Sequence, residues 1–204
     1  MTKKRETSFA MPAFDILRAY LQARATITDQ EFGFIRTVFI ARTLSSGESL
    51  HQAGEVAKHA AFVAKGCLRS YVIDTKGKEH IVMFAPENWW LADNISLATK
   101  SPSQYFVDAV EDSEILLIDP VSHERLVEKV PGYAAAFRKG LQKHAAAKDQ
   151  RIVKSLSTSA EERYLDFLAT YPSIATRVPQ WMVASYLGVS PETISRIRKK
   201  LSRK

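Results

Sequence analysis

The sequence predicts an α+β protein in which helices lead into a domain of short strands and helices resume to the end of the chain. Apolar residues recur at helical spacing across Phe14–Phe39 and again after Pro120. Between them, β-branched and aromatic segments alternate with Gly, Pro, Asn and Asp, the texture of a β-sandwich or barrel. Residues 179–201 carry the punctuation of two short helices joined by a tight turn. At 204 residues there is room for one large domain or two modest ones.

Phe14, Leu17 and Leu21 predict a first helix, and Phe32, Ile35 and Phe39 a second. Thr28 with Glu31 three residues later is a capping box for the second. From Arg42 the strands are Phe62–Ala64, Leu68–Ile73, His80–Phe84, Tyr105–Val110 and Ile115–Ile118. Ser46-Gly47, Ala53-Gly54, Lys65-Gly66 and Pro86-Glu87-Asn88 are the breaks, with Asp74–Gly77 as a hairpin turn. Pro120–Val130 reads as a short helix stopped by Pro131.

Residues 131–156 then read as one long helix. Tyr133, Phe137 and Leu141, then Ile152 and Leu156, fall along one face, and alanines at 134–136 and 145–147 let a second helix approach closely. Gly140 opposes the helix by about 1 kcal/mol relative to Ala. This pattern predicts a dimerisation helix using Tyr133, Phe137, Leu141 and Ile152, the alternative being burial against its own strand domain. Ser159 and Glu162 form a capping box for the next helix. No Gly/Ser linker interrupts the chain, so three rigidly joined parts are expected: 1–130, 131–156 and 157–204.

Charge is distributed unevenly. Residues 131–204 hold 14 Lys+Arg against 5 Asp+Glu, whereas residues 1–130 hold 15 against 17. The overall +7 therefore comes from the C-terminal third, which points to a polyanionic partner held at that end. The single cysteine, Cys67, excludes a disulfide framework, a multi-cysteine zinc site and a four-cysteine iron–sulfur cluster. No apolar run approaches the roughly 20 residues that span a bilayer. Met1–Phe9 is basic with no apolar stretch behind it, so the expectation is a cytoplasmic chain with no membrane partner. His51, His59, His80, His123 and His144 show no metal-ligand spacing, and no nucleophile–base order or Gly-rich phosphate loop is present; no enzyme activity, metal or cofactor is expected.

The segment 179–201 has the layout of a helix-turn-helix. Pro179 suits a helix start, Val183, Ala184 and Leu187 give an inward face, and Gly188 permits the left-handed turn. Ser190 then caps a second helix that has Pro191 in its first position. Ile194, Ile197 and Leu201 face inward, while Glu192, Arg196 and Lys199, with Ser195 and Lys200 nearby, form a polar, mostly cationic face. Such a face fits a DNA major groove, where Arg can donate two bonds to guanine and Glu can accept from cytosine.

These residues carry a resemblance. From about 14 to 201 the chain resembles the Crp/Fnr family of bacterial transcription regulators. The specific part is Ser159–Tyr164, Pro179-Gln180 and the run Val183–Arg198, which is similar to members from the Bacteroidetes; Gly47-Glu48, Gly54-Glu55, Lys65-Gly66 and Asp74–Gly77 match less specifically. The resemblance implies an N-terminal double-stranded β-helix (jelly-roll) sensor domain of cyclic-nucleotide-binding type, a long dimerisation helix and a C-terminal winged helix-turn-helix. It also implies DNA contacts from Gln180, Ser190, Pro191, Glu192, Thr193, Ser195, Arg196, Lys199 and Lys200 of a homodimer. Pro191 stands where some relatives place a base-reading Arg, so the operator should differ from that of the cyclic-AMP receptor protein.

Relatives that bind cyclic nucleotides offer Gly-Glu to the ribose and Arg-Ser to the phosphate. Here Ala92-Asp93 replaces the first pair, and no Arg lies near Ser103-Gln104, so a cyclic-AMP site is not expected. Trp89 and Trp90, with Asp93, Ser103 and Gln104, are the candidate pocket for a different small apolar or aromatic effector; packing of the tryptophans against the long helix is the alternative. Expected partners are double-stranded DNA, a second copy of the chain, RNA polymerase and that effector. Two rival functions remain: a sensor module whose C-terminal domain docks proteins, and a jelly-roll metal enzyme.

Overall fold

The computed structural model describes residues 3–202, so the first two residues of the basic N-terminal stretch and the last two of the tail lie outside the described residues. Helices α1 (Lys3–Gln22) and α2 (Asp29–Val38) lead into β1 (Ile40–Leu44), β2 (Ser49–His51), β3 (Ala60–Lys65), β4 (Leu68–Ile73), β5 (Glu79–Ala85) and β6 (Trp90–Leu91). The short α3 (Asn94–Thr99) precedes β7 (Phe106–Ala109) and β8 (Ser113–Ile118). Then come α4 (Pro120–Lys129), α5 (Pro131–Ser157), α6 (Ala160–Thr170), α7 (Ile174–Arg177), α8 (Gln180–Leu187) and α9 (Pro191–Leu201).

The strands make two four-stranded sheets ordered β1-β8-β3-β6 and β2-β7-β4-β5, and β8 runs antiparallel to both β1 and β3. This is the α+β architecture with a jelly-roll that the sequence predicts. No strand follows β8 among the described residues, so the wing that the resemblance implies is not among them.

By contacts the chain separates into two units. One holds the described residues through Ser70 together with Phe84–Gln142; the other holds Tyr71–Met83 and the residues from 143 onward. The division thus falls inside α5 and assigns the β4–β5 hairpin to the helical unit.

In the first unit, Leu17 and Leu21 of α1, Ile35 of α2, Leu126 of α4 and Tyr133 of α5 close over Phe62 and Leu116 of the facing strands. Each such side chain contributes roughly 1.5–3 kcal/mol by leaving water. Local chemistry sets the elements as expected. Glu31 N–H donates to Thr28 Oγ1 (3.2 Å) while the Glu31 carboxylate accepts from Thr28 N–H (2.8 Å), completing the capping box. Gly140 has a packing reason: a Cβ there would lie 2.7 Å from the Tyr20 hydroxyl of α1, so a larger residue would require the end of that side chain to shift.

The face of α5 divides along its length. Tyr133 is wholly buried and its hydroxyl lies 3.0 Å from His123 Nδ1, while Phe137 packs against the same core. These two residues, expected in a dimer contact, instead seat α5 on its own domain. Leu141, Ile152, Val153 and Leu156 are exposed, Leu156 by 84%.

Candidate nucleic-acid interface

In the second unit, α8 buries Met182, Val183 and Ala184, and α9 buries Ile194 and Ile197. Gly188 ends α8 at φ +68°, in the left-handed region, and Val189 N–H donates to the Ala184 carbonyl (3.0 Å) as the chain turns. Ser190 caps α9 by accepting from Thr193 N–H (3.3 Å), with Pro191 following it in the first turn. Gln180 donates from Nε2 to the Pro191 carbonyl (3.0 Å), tying the start of α8 to the start of α9.

The outer face of α9 presents Pro191, Glu192, Ser195, Arg196, Arg198 and Lys199, all exposed, with Thr193 half-buried among them. Arg196 Nη2 donates to Thr193 Oγ1 (3.3 Å), and Thr193 Oγ1 is 3.2 Å from Ser190 Oγ, so the cap and the arginine share one polar chain. The Glu192 carboxyl is held below its ordinary range, first by the Ser190 hydroxyl, then by its own backbone N–H and the Arg196 charge. Like any exposed carboxylate it is an ionised acceptor at neutral pH, and it lies one helical turn from the Arg196 donor. Lys200 is placed differently from its expected DNA-facing role: its ammonium pairs with Glu161 of α6 at 2.5 Å. Arg198, absent from the sequence-derived set, adds a cation in the last turn.

The five residues expected to line an effector pocket are each engaged locally. Trp90 pairs with Phe62 across β6 and β3, and its ring lies 5.3 Å from that of Phe62 and 6.1 Å from that of Phe137. The packing alternative therefore holds for Trp90. The Trp89 carbonyl accepts from Val63 N–H (2.9 Å). Asp93 caps α3, accepting from the N–H groups of Ile95 and Ser96 (3.1 Å each). Ser103 is buried, with its backbone bonded to Gly54 and Glu55, and Gln104 donates to the Tyr105 hydroxyl (3.2 Å).

Sequence reasoning missed the buried cation of the roll. Arg69 on β4 donates from Nε to Asp108 Oδ1 (2.7 Å) and from Nη2 to Asp108 Oδ2 (2.9 Å), and both residues are buried. The partners lie 39 residues apart, so spacing gave no signal. Among the described residues no group of three or more His, Cys, Asp and Glu could hold a metal ion, and no helix is long and apolar enough to cross a membrane; the His144 side chain lies outside the described residues.

Along the chain an eight-stranded roll is followed by a long helix and a helix-turn-helix, the order of elements that defines this fold class. Residues 41–130 match the cyclic nucleotide-binding domain family. The structure is similar to that of FixK2 from Bradyrhizobium japonicum, with 19% identity, TM-score 0.69, 81% of this chain and 85% of that chain covered. It is also similar to a CooA variant from Carboxydothermus hydrogenoformans, with 18% identity, TM-score 0.70 and coverage of 88% and 87%. A third likeness is to a structure described as a Crp/Fnr-family transcriptional regulator from Eubacterium rectale, with 16% identity, TM-score 0.61 and coverage of 86% and 84%. At these identities the likeness establishes the fold. No curated protein matches the chain significantly in sequence.

Proposed function

We propose that this chain is a cytoplasmic, homodimeric, sequence-specific DNA-binding transcription regulator of the Crp/Fnr type, akin to Bacteroidetes members, and not an enzyme. The observation that carries this reading is the exposed face of α9, where Glu192 and Arg196 stand beside a Ser190–Thr193 cap on a helix seated by Ile194 and Ile197. Glu192 and Arg196 read base edges. Gln180, Ser190, Pro191, Thr193, Ser195 and Lys199 meet phosphates or neighbouring groove edges, and Lys200 joins them on release from Glu161. Two such helices enter successive major grooves about 34 Å apart on a near-palindromic site. The exposed Leu141, Ile152, Val153 and Leu156 of α5 supply the pairing surface.

The bound dimer presents itself to RNA polymerase. The roll responds to an effector other than cyclic AMP, because Ala92-Asp93 replaces the Gly-Glu pair and no Arg lies near Ser103-Gln104 to meet a cyclic phosphate. Selection from random duplexes, followed by titration of the recovered site at several salt concentrations, tests the reading. The expected result is a palindrome bound at least a thousandfold more tightly than random duplex, the lower end of about 10³–10⁷ for specific over non-specific binding. Equal affinity for both, or no salt-dependent binding, overturns it in favour of a protein-docking role for the C-terminal unit.

A further inference from the structure

The hairpin between β4 and β5 is fastened to the helix-turn-helix. β5 is the last strand of its sheet, so backbone groups on its free side need partners. Ser185, on α8, provides them: its Oγ accepts from Ile81 N–H (2.9 Å) and donates to the Glu79 carbonyl (3.1 Å). Arg151 of α5 donates to the carbonyls of Val82, Ile81 and Tyr186, and its guanidinium lies 3.8 Å from the Tyr186 ring centroid. Next to this clasp, Lys78 and Glu79 share a cavity of about 310 Å³ with Trp181, Ser185, Val189 and Pro191. The hairpin therefore lies beside the first residue of α9.

The turn itself is held in one shape. The Asp74 carboxylate accepts from Lys76 N–H (2.8 Å) and Lys78 N–H (3.0 Å) and meets His80 Nε2 at 2.7 Å. That leaves Lys76 and Lys78 exposed on a turn closed by hydrogen bonds to Asp74. With the hairpin docked, Glu192, Ser195, Arg196 and Lys199 remain exposed, so the hairpin flanks the reading face and does not cover it. In helix-turn-helix complexes the first helix crosses the sugar–phosphate backbone while the start of the second reaches the bases. An element clasped along the Trp181–Ser185 side of α8 lies next to that strand.

We infer that the Asp74–His80 hairpin is a second DNA-contacting element, in which Lys76 and Lys78 bind phosphates flanking the groove that α9 enters. This rests on the DNA-reading role proposed for α9. Phosphate contacts of this kind add affinity without sequence preference, and each adds about 0.9 to the slope of log K against log salt.

The test compares full-length wild type with the K76Q/K78Q double variant on the selected duplex and on random duplex, between 50 and 200 mM salt. The double variant is expected to bind both duplexes more weakly by a similar factor. Its salt slope is expected to fall by close to 2 per subunit, equivalent to about 3.5-fold less affinity change per lost contact across that salt range. R196A, run alongside, should shift preference at one base pair and leave the slope nearly unchanged. If wild type binds its selected site and K76Q/K78Q matches it in affinity and slope, the inference fails while the role of α9 stands. Loss of transcription by such a variant with unchanged DNA binding would assign the hairpin to a protein partner and equally overturn it. If wild type binds no duplex, both fail.

Discussion

Arg196→Ala offers the sharpest test of what α9 does. The side chain is exposed, and its hydrogen bond to Thr193 Oγ1 at 3.3 Å is a surface contact. Ile194 and Ile197, not Arg196, seat the helix. Removing the guanidinium should therefore change folding stability by no more than about 0.5 kcal/mol. The Glu192 carboxyl should keep most of its downward shift, because the Ser190 hydroxyl rather than Arg196 is the main influence holding it low. DNA binding should respond quite differently. A bidentate arginine–guanine contact discriminates by about 1–3 kcal/mol, and a twofold dimer makes it twice. Even the lower bound totals about 2 kcal/mol, close to a thirtyfold loss on the selected site. The assay is fluorescence anisotropy on the selected palindrome and on each single-base-pair symmetric variant of it, with thermal unfolding as the control. Discrimination should collapse at one symmetric pair of positions and persist elsewhere. If affinity falls equally for every sequence, Arg196 is a phosphate contact and the base-reading assignment is wrong.

Ser190→Ala removes the cap of α9 and should lower stability by about 1 kcal/mol in denaturant unfolding, with weaker DNA binding because Thr193 and Glu192 lose the hydroxyl that orders them. Gly140→Ala should destabilise the first unit despite better helix propensity, because its Cβ meets the Tyr20 hydroxyl at 2.7 Å; adding Tyr20→Phe should restore stability, and failure to do so would disprove the close-approach explanation. His123 has its pKa lowered mainly by burial, partly countered by Glu124, so the unfolded chain binds the proton more readily. Stability should accordingly be full above about pH 6.5, the unfolded value, and fall as pH drops below it; a His123→Phe variant should show a shallower decline between pH 7 and 5 in denaturant melts. Ile152→Glu with Leu156→Glu should shift sedimentation from dimer to monomer and sharply weaken binding to the palindrome, and an unchanged dimer would move the pairing surface elsewhere.

Legibility in this chain follows the range of the interaction. Thr28 with Glu31, Ser159 with Glu162 and Ser190 with Thr193 act across three residues, and all three caps were readable from spacing. The turn at Asp74–Gly77 was readable for the same reason, since one carboxylate closes it. Strands β2 and β6 were not: three and two residues long, they are strands only because β7 and β3 lie beside them. Arg69 with Asp108, and Ser185 with Glu79 and Ile81, are joined across 39 to 106 residues, a distance at which spacing carries no information. Lys200 belongs to the same class, because its cationic character was plain but its partner Glu161 lies on another helix.

The long helix α5 shows why periodicity alone cannot assign a partner. Its repeat places Tyr133, Phe137, Leu141 and Ile152 on one stripe, and a stripe says only that something apolar lies opposite. What lies opposite changes along the helix. As far as Gly140 the partner is the chain's own α1, whose Tyr20 fits against a glycine and whose core neighbours enclose Tyr133. Beyond it, Leu141, Ile152, Val153 and Leu156 stand in water. Three of these four lie within five residues, and contiguous apolar surface of this kind costs solubility unless a partner covers it. The glycine that weakens the helix locally is thus the boundary between a half packed on the chain's own roll and a half whose apolar side chains are exposed, the half that the proposed pairing would cover.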